Sequence, residues 1–384
     1  MPVARAPTRA SKSKEGETFE AAGACLRGCS APSSRITWEG TEFAIERRFL
    51  VITSDVEERC MQAWQVIKLG EPKAVLELGE KAVPEPGPGE VRILVKAVAL
   101  GLPDVFMCRG TYAFNPAIPF TPGQEVVGIV TAVGEGVGLA VRSRVIATTS
   151  FIQGNGGFAE QALAPIGATY CIPDDMPDED AAAFLIPFQT AYIALARRGQ
   201  LLQGETLLVH GGAGGVGSAA IQVGCALGAK VIATATGPER AKACLELGAS
   251  LAIDIGVEDF AEAVNRATEG RGANMIFDPV GGDLFVRSFE CIANEGRLLA
   301  IGYSSGSWKN AATAAVVFKN CSVVGVLAAL YDKGFLNRTH EDLLKLYAEG
   351  KIRPVIQKIA FEDIADALTD LADRKVVGRV VAVL

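Results

Sequence analysis

The sequence predicts an α/β protein in which an all-β module is followed by a doubly wound parallel sheet. The first observation is a series of short apolar or alternating runs from Met61 onward, each bounded by glycine or proline. The second is a strand–helix–strand rhythm that begins near Phe184, because alternating βα units form parallel sheets covered by helices. Of the 384 residues, 49% are hydrophobic, which is enough for about two or three domains with sizeable cores.

The β module is expected to contain four strands, separated by turns such as the Pro- and Gly-rich residues 84–89. The strands are predicted at residues 63–67, 91–99, 126–133 and 141–147.

The second half alternates strands with helices. Strands are predicted at residues 206–210, 231–235, 274–280 and 297–302, and helices from the turn after residue 210 to Ala229 and at residues 238–248, 257–270 and 282–294. Pro238 at the first turn and Gly248 after the last residue are typical helix boundaries. After a short apolar run at residues 322–326, we expect a helix at residues 340–350 and a terminal strand at residues 376–383.

Composition excludes several classes of protein. The formal net charge of −7 and 7% aromatic residues argue against a nucleic-acid-binding surface. The nine cysteines form no CxxC pair, which favours reduced thiols and a cytoplasmic location over a disulfide framework. The longest uncharged run, residues 206–229, contains seven glycines, so we expect no membrane span.

Residues 1–60 differ in composition from the rest and are expected to form a disordered N-terminal extension. Residues 1–35 carry six basic and three acidic side chains without a sustained apolar period. A transit peptide and an upstream start codon are both compatible with this composition. Cys25 and Cys29 give only a remote indication of metal binding.

A glycine-rich turn follows the predicted strand at residues 206–210 and opens a helix. Gly212, Gly214 and Gly217 form a complete GxGxxG pattern. The first glycine is expected to permit a tight turn, the second to let the backbone approach a pyrophosphate, and the third to let helix and strand pack closely. The phosphates would lie at the helix N-terminus, and a glycine corner without a ligand is the alternative.

The next strand, residues 231–235, ends without the carboxylate that usually accepts hydrogen bonds from the ribose 2′-hydroxyl. Thr236 follows it, and Arg240 comes shortly after. A missing acid beside an arginine favours a 2′-phosphate, and therefore NADPH rather than NADH. The alternative is that Arg240 lies at an exposed helix start without a ligand.

These residues, together with several further motifs, resemble the medium-chain dehydrogenase/reductase superfamily in its zinc-free NADPH:quinone oxidoreductase (zeta-crystallin-like) branch. The similarity covers about residues 61–384, with motifs at residues 84–100, 103–112, 119–137, 181–195, 207–222, 277–282 and 377–381. It implies a GroES-like substrate domain at residues 61–187 and 326–384, and a Rossmann NADP-binding domain at residues 188–325. It also implies a homo-oligomer, with a homodimer as the expected form.

No metal site is expected. Zinc-dependent relatives carry cysteine where this chain has Gly101, a His-Glu pair where it has Gln124 and Glu125, and another cysteine near Ile186. Only Glu125 remains, and one carboxylate does not hold a zinc ion.

The resemblance implies cofactor contacts along the second domain. They fall on Thr190, Gly214, Gly215, Val216, Arg240, Asp278, Val280 and Ser304. Two departures matter: Gly101 replaces an asparagine found in many quinone reductases, and Ile255 stands where some members have a tyrosine. The first leaves the substrate open, and the second leaves 2′-phosphate recognition dependent on Arg240.

Tyr112 is the candidate catalytic residue, because related enoyl-thioester reductases place a proton-donating tyrosine at its position. A phenol with a pKa of about 10 stays protonated at neutral pH and can donate; an aromatic wall of the pocket is the alternative role. Phe106 and Phe188 are expected to line the acceptor pocket, with a core position as the alternative. Asp104 would contact substrate or hold its loop, and His210 is expected in the core.

Three functions remain open. The leading hypothesis is an NADPH-dependent enzyme that transfers hydride to a quinone without zinc. The second is an NADPH-dependent reductase of enones or enoyl thioesters, whose carbanion needs a proton donor. The third is a non-enzymatic NADPH-binding protein. The expected partner is a small quinone or enone acceptor, without nucleic acid or membrane.

Overall fold

The computed structural model describes residues 60–384. Residues 1–59, and with them the predictions made for the N-terminal extension and for Cys25 and Cys29, lie outside the described residues. The described chain confirms the predicted α/β class: one mixed sheet is mostly antiparallel, and a second sheet is entirely parallel.

The first sheet is built mainly from the N-terminal part of the described chain. Its strands and their small companion sheet are β1 (Cys60–Val66), β2 (Leu76–Ala82), β3 (Glu90–Leu100), β4 (Glu125–Val133), β5 (Arg144–Thr148), β6 (Gln161–Pro165) and β7 (Thr169–Cys171). Two helices, α1 (Pro72–Val75) and α2 (Leu102–Arg109), lie between them. β1 and β2 form a separate antiparallel pair, and β3 is the centre of the larger sheet, pairing with β4 on one side and with β6.

The parallel sheet follows after α3 (Asp178–Ala182) and α4 (Leu185–Tyr192). Its strands and helices alternate as β8 (Thr206–Val209), α5 (Gly215–Ala226), β9 (Lys230–Ala235), α6 (Pro238–Glu246), β10 (Leu251–Asp254), α7 (Phe260–Ala267), β11 (Ala273–Asp278), α8 (Gly282–Arg287), β12 (Ile292–Ala300), α9 (Thr313–Phe318) and β13 (Ser322–Gly325). The spatial order β10-β9-β8-β11-β12-β13 reverses direction between β8 and β11. In such sheets, ligands bind at the carboxyl ends of the strands beside this reversal.

The C-terminal segment returns to the first sheet. After α10 (Lys333–Ala348), the strands β14 (Ile356–Ala360) and β15 (Arg379–Val383) flank α11 (Ile364–Ala372). β15 pairs antiparallel with β3, so that the last residues lie beside the first long strand. The exact domain boundaries at residues 187–188 and 325–326 stay predictions.

Several element boundaries differ from the sequence predictions, among them the following three. α10 begins at Lys333 rather than at residue 340, because the Asp332 carboxylate caps it by accepting from the Phe335 amide at 3.0 Å. The predicted helix at residues 282–294 ends early, since β12 already begins at Ile292. The predicted strand at residues 141–147 begins only at Arg144.

Two large apolar clusters stabilise the arrangement. One lies between the parallel sheet and the helices packed on it, and the other fills the first sheet and its helices α2 and α11. Within residues 60–384, none of the helices has the length and apolarity needed to cross a bilayer.

Candidate active site

The glycine-rich turn joins β8 to α5 at the reversal of strand order, as its sequence predicts. Gly212 and Gly217 are required by space: a Cβ on Gly212 would lie 2.8 Å from Cys244 Sγ, and one on Gly217 only 2.2 Å from the Gly211 carbonyl. A Cβ on Gly214 would meet no described atom closer than 3.4 Å. The backbone at Gly214 therefore faces open space, where a pyrophosphate can approach it.

Gly212 lies within a tight turn that the Gly214 amide closes by donating to the Gly211 carbonyl at 3.0 Å. The residue of this turn with a positive φ is its neighbour Gly211, at +60°. His210 stabilises this turn through Thr234. The His210 ring nitrogens lie 3.1 Å from Thr234 Oγ1 and 3.0 Å from Ser288 Oγ, and Thr234 Oγ1 accepts a hydrogen bond from the Gly211 amide. His210 is fully buried, which agrees with a core position.

Arg379, which the sequence analysis did not select, lies over the start of α5. A Cβ on Gly215 would be 2.4 Å from Arg379 Cδ. Its Nη2 donates to Glu125 Oε2 at 2.7 Å, whereas its buried Nε has no hydrogen-bond partner among the described residues. The only signal in the sequence was the motif at residues 377–381, which contains this arginine.

Glu125 is completely buried and has an identified partner in this structure. Its Oε1 accepts from the Ile186 amide at 3.0 Å, and its Oε2 from Arg379. Burial raises the pKa of Glu125 to about 7, although the charge of Arg379 acts in the opposite direction. Within residues 60–384, no group of three or more His, Cys, Asp or Glu side chains is arranged to hold a metal ion.

Arg240 lies on α6 near the end of β9, next to the exposed Thr236. Its Nη2 donates to the Val376 carbonyl, and its buried Nε makes no hydrogen bond to any described residue. Burial and the neighbouring charge of Arg374 lower the pKa of Arg240. Two guanidinium groups close enough to repel each other favour an anion nearby.

A carboxylate does lie near this end of the sheet, although β9 itself has none. Asp254 is the last residue of β10 and is paired in register with Ala235. Its Oδ1 accepts from the amides of Gly237 at 2.8 Å and Gly256 at 2.9 Å, so it holds the turn that leads into α6. The sequence analysis missed it because its contact with the end of β9 depends on strand pairing.

The turn after β11 is the next part of the same edge. Asp278 Oδ1 accepts from the amides of Val280 and Gly281 at 2.8 and 2.9 Å, and its buried Oδ2 has no hydrogen-bond partner within the described chain. Ser304 donates its amide to Pro279 at 3.1 Å. These predicted residues therefore lie on one edge with the glycine-rich turn, whereas Thr190 is half-buried on α4.

On the acceptor side, Tyr112 is half-buried among the rings of Phe114 and Phe151. Burial raises the pKa of its phenol; a hydrogen bond with Gln124 lowers it in part, and the charges of Asp104 and Tyr303 raise it. The phenol is therefore protonated at neutral pH. The sequence analysis named Gln124 only as a position where zinc-dependent relatives carry a ligand, and it did not name Tyr303; both influence the pKa of Tyr112.

The three remaining predicted pocket residues have different surroundings. Asp104 is buried, and its two oxygens accept from the amides of Gly101 at 2.9 Å and Gly123 at 3.0 Å, which are contacts that hold a loop. Burial raises its pKa to about 6. Phe106 stacks on Tyr303, with ring centroids 5.4 Å apart. Phe188 is only 2% exposed and stacks on Phe184 at 5.0 Å, so its contacts are those of a core residue.

Comparison with known proteins agrees with this architecture. Residues 87–174 match the family described as alcohol dehydrogenase GroES-like domain, and residues 215–348 match the family described as zinc-binding dehydrogenase. The chain is 33% identical over 302 residues to quinone oxidoreductase-like protein 2 homolog of Nematostella vectensis, covering 77% of this chain and 82% of that protein. It belongs to the medium-chain dehydrogenase/reductase superfamily.

Solved structures place this oxidoreductase near the quinone oxidoreductases of that superfamily. The quinone oxidoreductase of Pseudomonas syringae pv. tomato is 30% identical with a TM-score of 0.79, and the match covers 84% of this chain and all of that one. The Escherichia coli quinone oxidoreductase complexed with NADPH is 26% identical, with the same TM-score and the same coverage. The family and fold expected from the sequence are thereby confirmed.

Proposed function

We propose that this oxidoreductase uses NADPH to reduce a quinone. The proposal is carried by the edge that combines the open backbone at Gly214 with Arg240 and Arg379, each of which has a buried Nε free of hydrogen bonds to described residues. Buried donors without partners are rare and indicate that a ligand completes the site. A pyrophosphate and a 2′-phosphate provide acceptors of the required charge.

The fit to NADPH rests on this chain's own residues. Arg379 and the first amides of α5 would hold the pyrophosphate, and Arg240 would hold the 2′-phosphate, with Arg374 adding positive charge. When bound, the nicotinamide supplies a hydride. The NADPH-bound Escherichia coli enzyme supports the same choice of cofactor.

The protein side of the reaction is mainly positioning. Backbone amides donate to the Asp104 and Asp278 carboxylates and thereby fix the two loops that carry them. Fixed loops would hold the acceptor and the cofactor in a constant relative position. A reduced quinone takes its protons from solvent or from Tyr112, whose phenol is protonated at neutral pH.

We further propose that the reaction needs no zinc. Gly101, Gln124 and Ile186 stand where zinc-dependent relatives carry ligands, and the Glu125 carboxylate pairs with Arg379. The expected result is a purified protein without stoichiometric zinc that keeps its full activity in chelator. One zinc per chain by elemental analysis would contradict this.

A reductase of activated carbon–carbon double bonds is the second candidate. The charge of Tyr303, on the loop after β12, contributes to raising the pKa of Tyr112 on the first domain, so a second phenol lies near the candidate proton donor. Turnover of NADPH with a panel of quinones, enones and enoyl thioesters separates the two functions. Binding of NADPH without turnover of any of them would favour a non-enzymatic protein.

A homodimer is the proposed assembly in the cytoplasm. β13 is an edge strand that pairs only with β12 among the described strands, and large apolar side chains are exposed beside it. Phe318 is 86% and Leu330 80% exposed. A second copy of the chain covering this surface would bury them; sedimentation that gives a monomer at micromolar concentration would contradict the proposal.

A further inference from the structure

Three aromatic rings form a ladder between the two domains. Phe106 on α2 stacks on Tyr303, with ring centroids 5.4 Å apart and planes inclined by 12°. Tyr303 in turn packs against Trp308, with centroids 4.6 Å apart and planes inclined by 35°. We call Phe106, Tyr303 and Trp308 the aromatic ladder. Its inner ring is almost buried, whereas Trp308 is 62% exposed.

The ladder lies beside the turn that ends β11. A Cβ on Gly281 would be 3.3 Å from Tyr303 Cα, so the tyrosine backbone closely covers this turn. The Tyr303 phenol also interacts with Tyr112, the candidate proton donor. The ladder therefore runs from Phe106 on α2 of the first domain to solvent at Trp308.

The loop that carries the two outer rings is fixed in place. The Ser305 amide donates to Val280 at 2.9 Å, the Gly282 amide donates to Ser307 at 3.0 Å, and the Gly306 amide donates to Tyr303 at 2.7 Å. The first two bonds tie residues 303–307 to the turn after β11, and the third closes the loop on itself. Because the loop is held before any ligand arrives, stacking on it costs little ordering entropy.

We propose that Trp308, supported from beneath by Tyr303, forms a stacking platform for the acceptor and makes the site selective for flat fused-ring quinones over aliphatic enones. This inference rests on the proposed reduction of a small acceptor. An exposed indole supported from beneath by a second ring offers a large rigid face. A fused-ring quinone covers such a face with an extended π-system, whereas an aliphatic enone covers only a small part of it.

The kinetic test compares 1,4-naphthoquinone with 3-penten-2-one as acceptors for NADPH. Trp308→Ala is expected to lower the ratio of kcat/KM for the quinone to that for the enone by about three- to tenfold, the range given by one aromatic pair. Trp308→Phe retains a ring and is expected to recover most of this ratio. Leu202→Ala removes an equally exposed apolar side chain far from the ladder and should leave the ratio unchanged. An unchanged ratio in Trp308→Ala overturns the inference.

A second measurement does not depend on turnover. Naphthoquinone is expected to quench the tryptophan fluorescence of the protein in a saturable manner, and Trp308→Phe should remove the saturable part. Trp38 and Trp64 remain in that variant as internal references, and the Trp64 Nε1 donates to Phe361 at 2.9 Å inside the first domain. Quenching that is identical in the variant overturns the platform. If the wild type reduces neither acceptor, the proposed function fails while this measurement still decides on Trp308.

Discussion

The cofactor side and the acceptor side of the cleft differ in how far apart their residues lie in the sequence. The cofactor side uses the ends of β9, β8, β11 and β12, which are neighbours in the parallel sheet and are each followed at once by a turn. The acceptor side combines α2, the segment before β4 and the loop after β12. Local sequence motifs therefore describe the first side well, and the second side depends on long-range packing.

The Glu125–Arg379 pair joins the two sides. Glu125 begins β4, Arg379 begins β15, and the Gly378 amide donates to Ala213 in the glycine-rich turn at 2.8 Å. The same C-terminal segment offers the Val376 carbonyl to Arg240. Changes in this segment should thus affect both sides, whereas changes elsewhere should affect one.

The largest effect is expected for Arg379→Met, which leaves Glu125 buried without its cation. Removing one partner of a buried ion pair lowers the free energy of unfolding by about 3–5 kcal/mol. Arg379→Lys keeps the charge and should lose less. Urea unfolding measures both variants, and a loss below about 1 kcal/mol in Arg379→Met would mean that the pair does not join the two sides.

The same variant has a pH signature. Burial raises the pKa of Glu125 above its ordinary value to about 7, so the folded state binds more protons than the unfolded state between these values. The contribution of Glu125 to stability therefore falls as pH rises through this window. Without Arg379 the folded pKa rises further, and the destabilisation of Arg379→Met should be larger at pH 8 than at pH 5.5. Equal losses at the two pH values would contradict this assignment.

A pair of glycine variants separates folding from cofactor binding on the cofactor side. Gly217→Ala places a Cβ against the Gly211 carbonyl and should cost about 1–3 kcal/mol of stability. Gly214→Ala has room for its Cβ in the described chain and should keep its melting temperature, but it should lose NADPH binding because the methyl occupies the phosphate path. If Gly214→Ala binds NADPH normally, the phosphates lie elsewhere.

The preference for NADPH over NADH tests the proposed binding site for the adenosine end of the cofactor. Arg240→Ala should weaken NADPH by about ten- to a hundredfold, as expected for a charge-assisted hydrogen bond, while NADH binding changes little. Because Arg240 also donates to Val376, Arg240→Gln is the control that retains a donor without the charge. Titration of both cofactors measures the preference. Equal weakening of NADPH and NADH would assign Arg240 to the fold instead.

The sequence predicted the fold class, most of the βα units and the glycine-rich turn, because each depends on short periods and local turn chemistry, but it missed the short strand β10. Gly214 and Gly217 lie where the motif requires them. The positive φ at Gly211 and the packing of Gly212 against Cys244 are details of the turn that the motif does not predict, because they depend on the tertiary structure.

The residues that the sequence did not identify share one property: they act across the tertiary structure. Arg379 reaches Glu125, which is 254 residues away in the chain, and Asp254 reaches Gly237 through strand pairing. Tyr303 and Trp308 lie on the loop from which the sequence analysis selected only Ser304, and they form a stacked cluster only when α2 brings Phe106 to them. The periodicity of apolar residues contains no information on contacts between residues that are distant in the sequence.

The smallest effect is expected on the acceptor side, for Tyr112→Phe with a quinone. The ring and its packing against Phe114 and Phe151 remain, and a hydroquinone anion can take protons from water. We therefore expect kcat/KM with 1,4-naphthoquinone to change by less than about fivefold, which is about 1 kcal/mol. With an enone or enoyl thioester the same variant should lose on the order of a hundredfold if the phenol donates the proton to the carbanion. The contrast between the two acceptors decides the role of Tyr112: equal small losses make it a wall of the pocket, and a large loss with the quinone would show that proton transfer by Tyr112 limits that reaction as well.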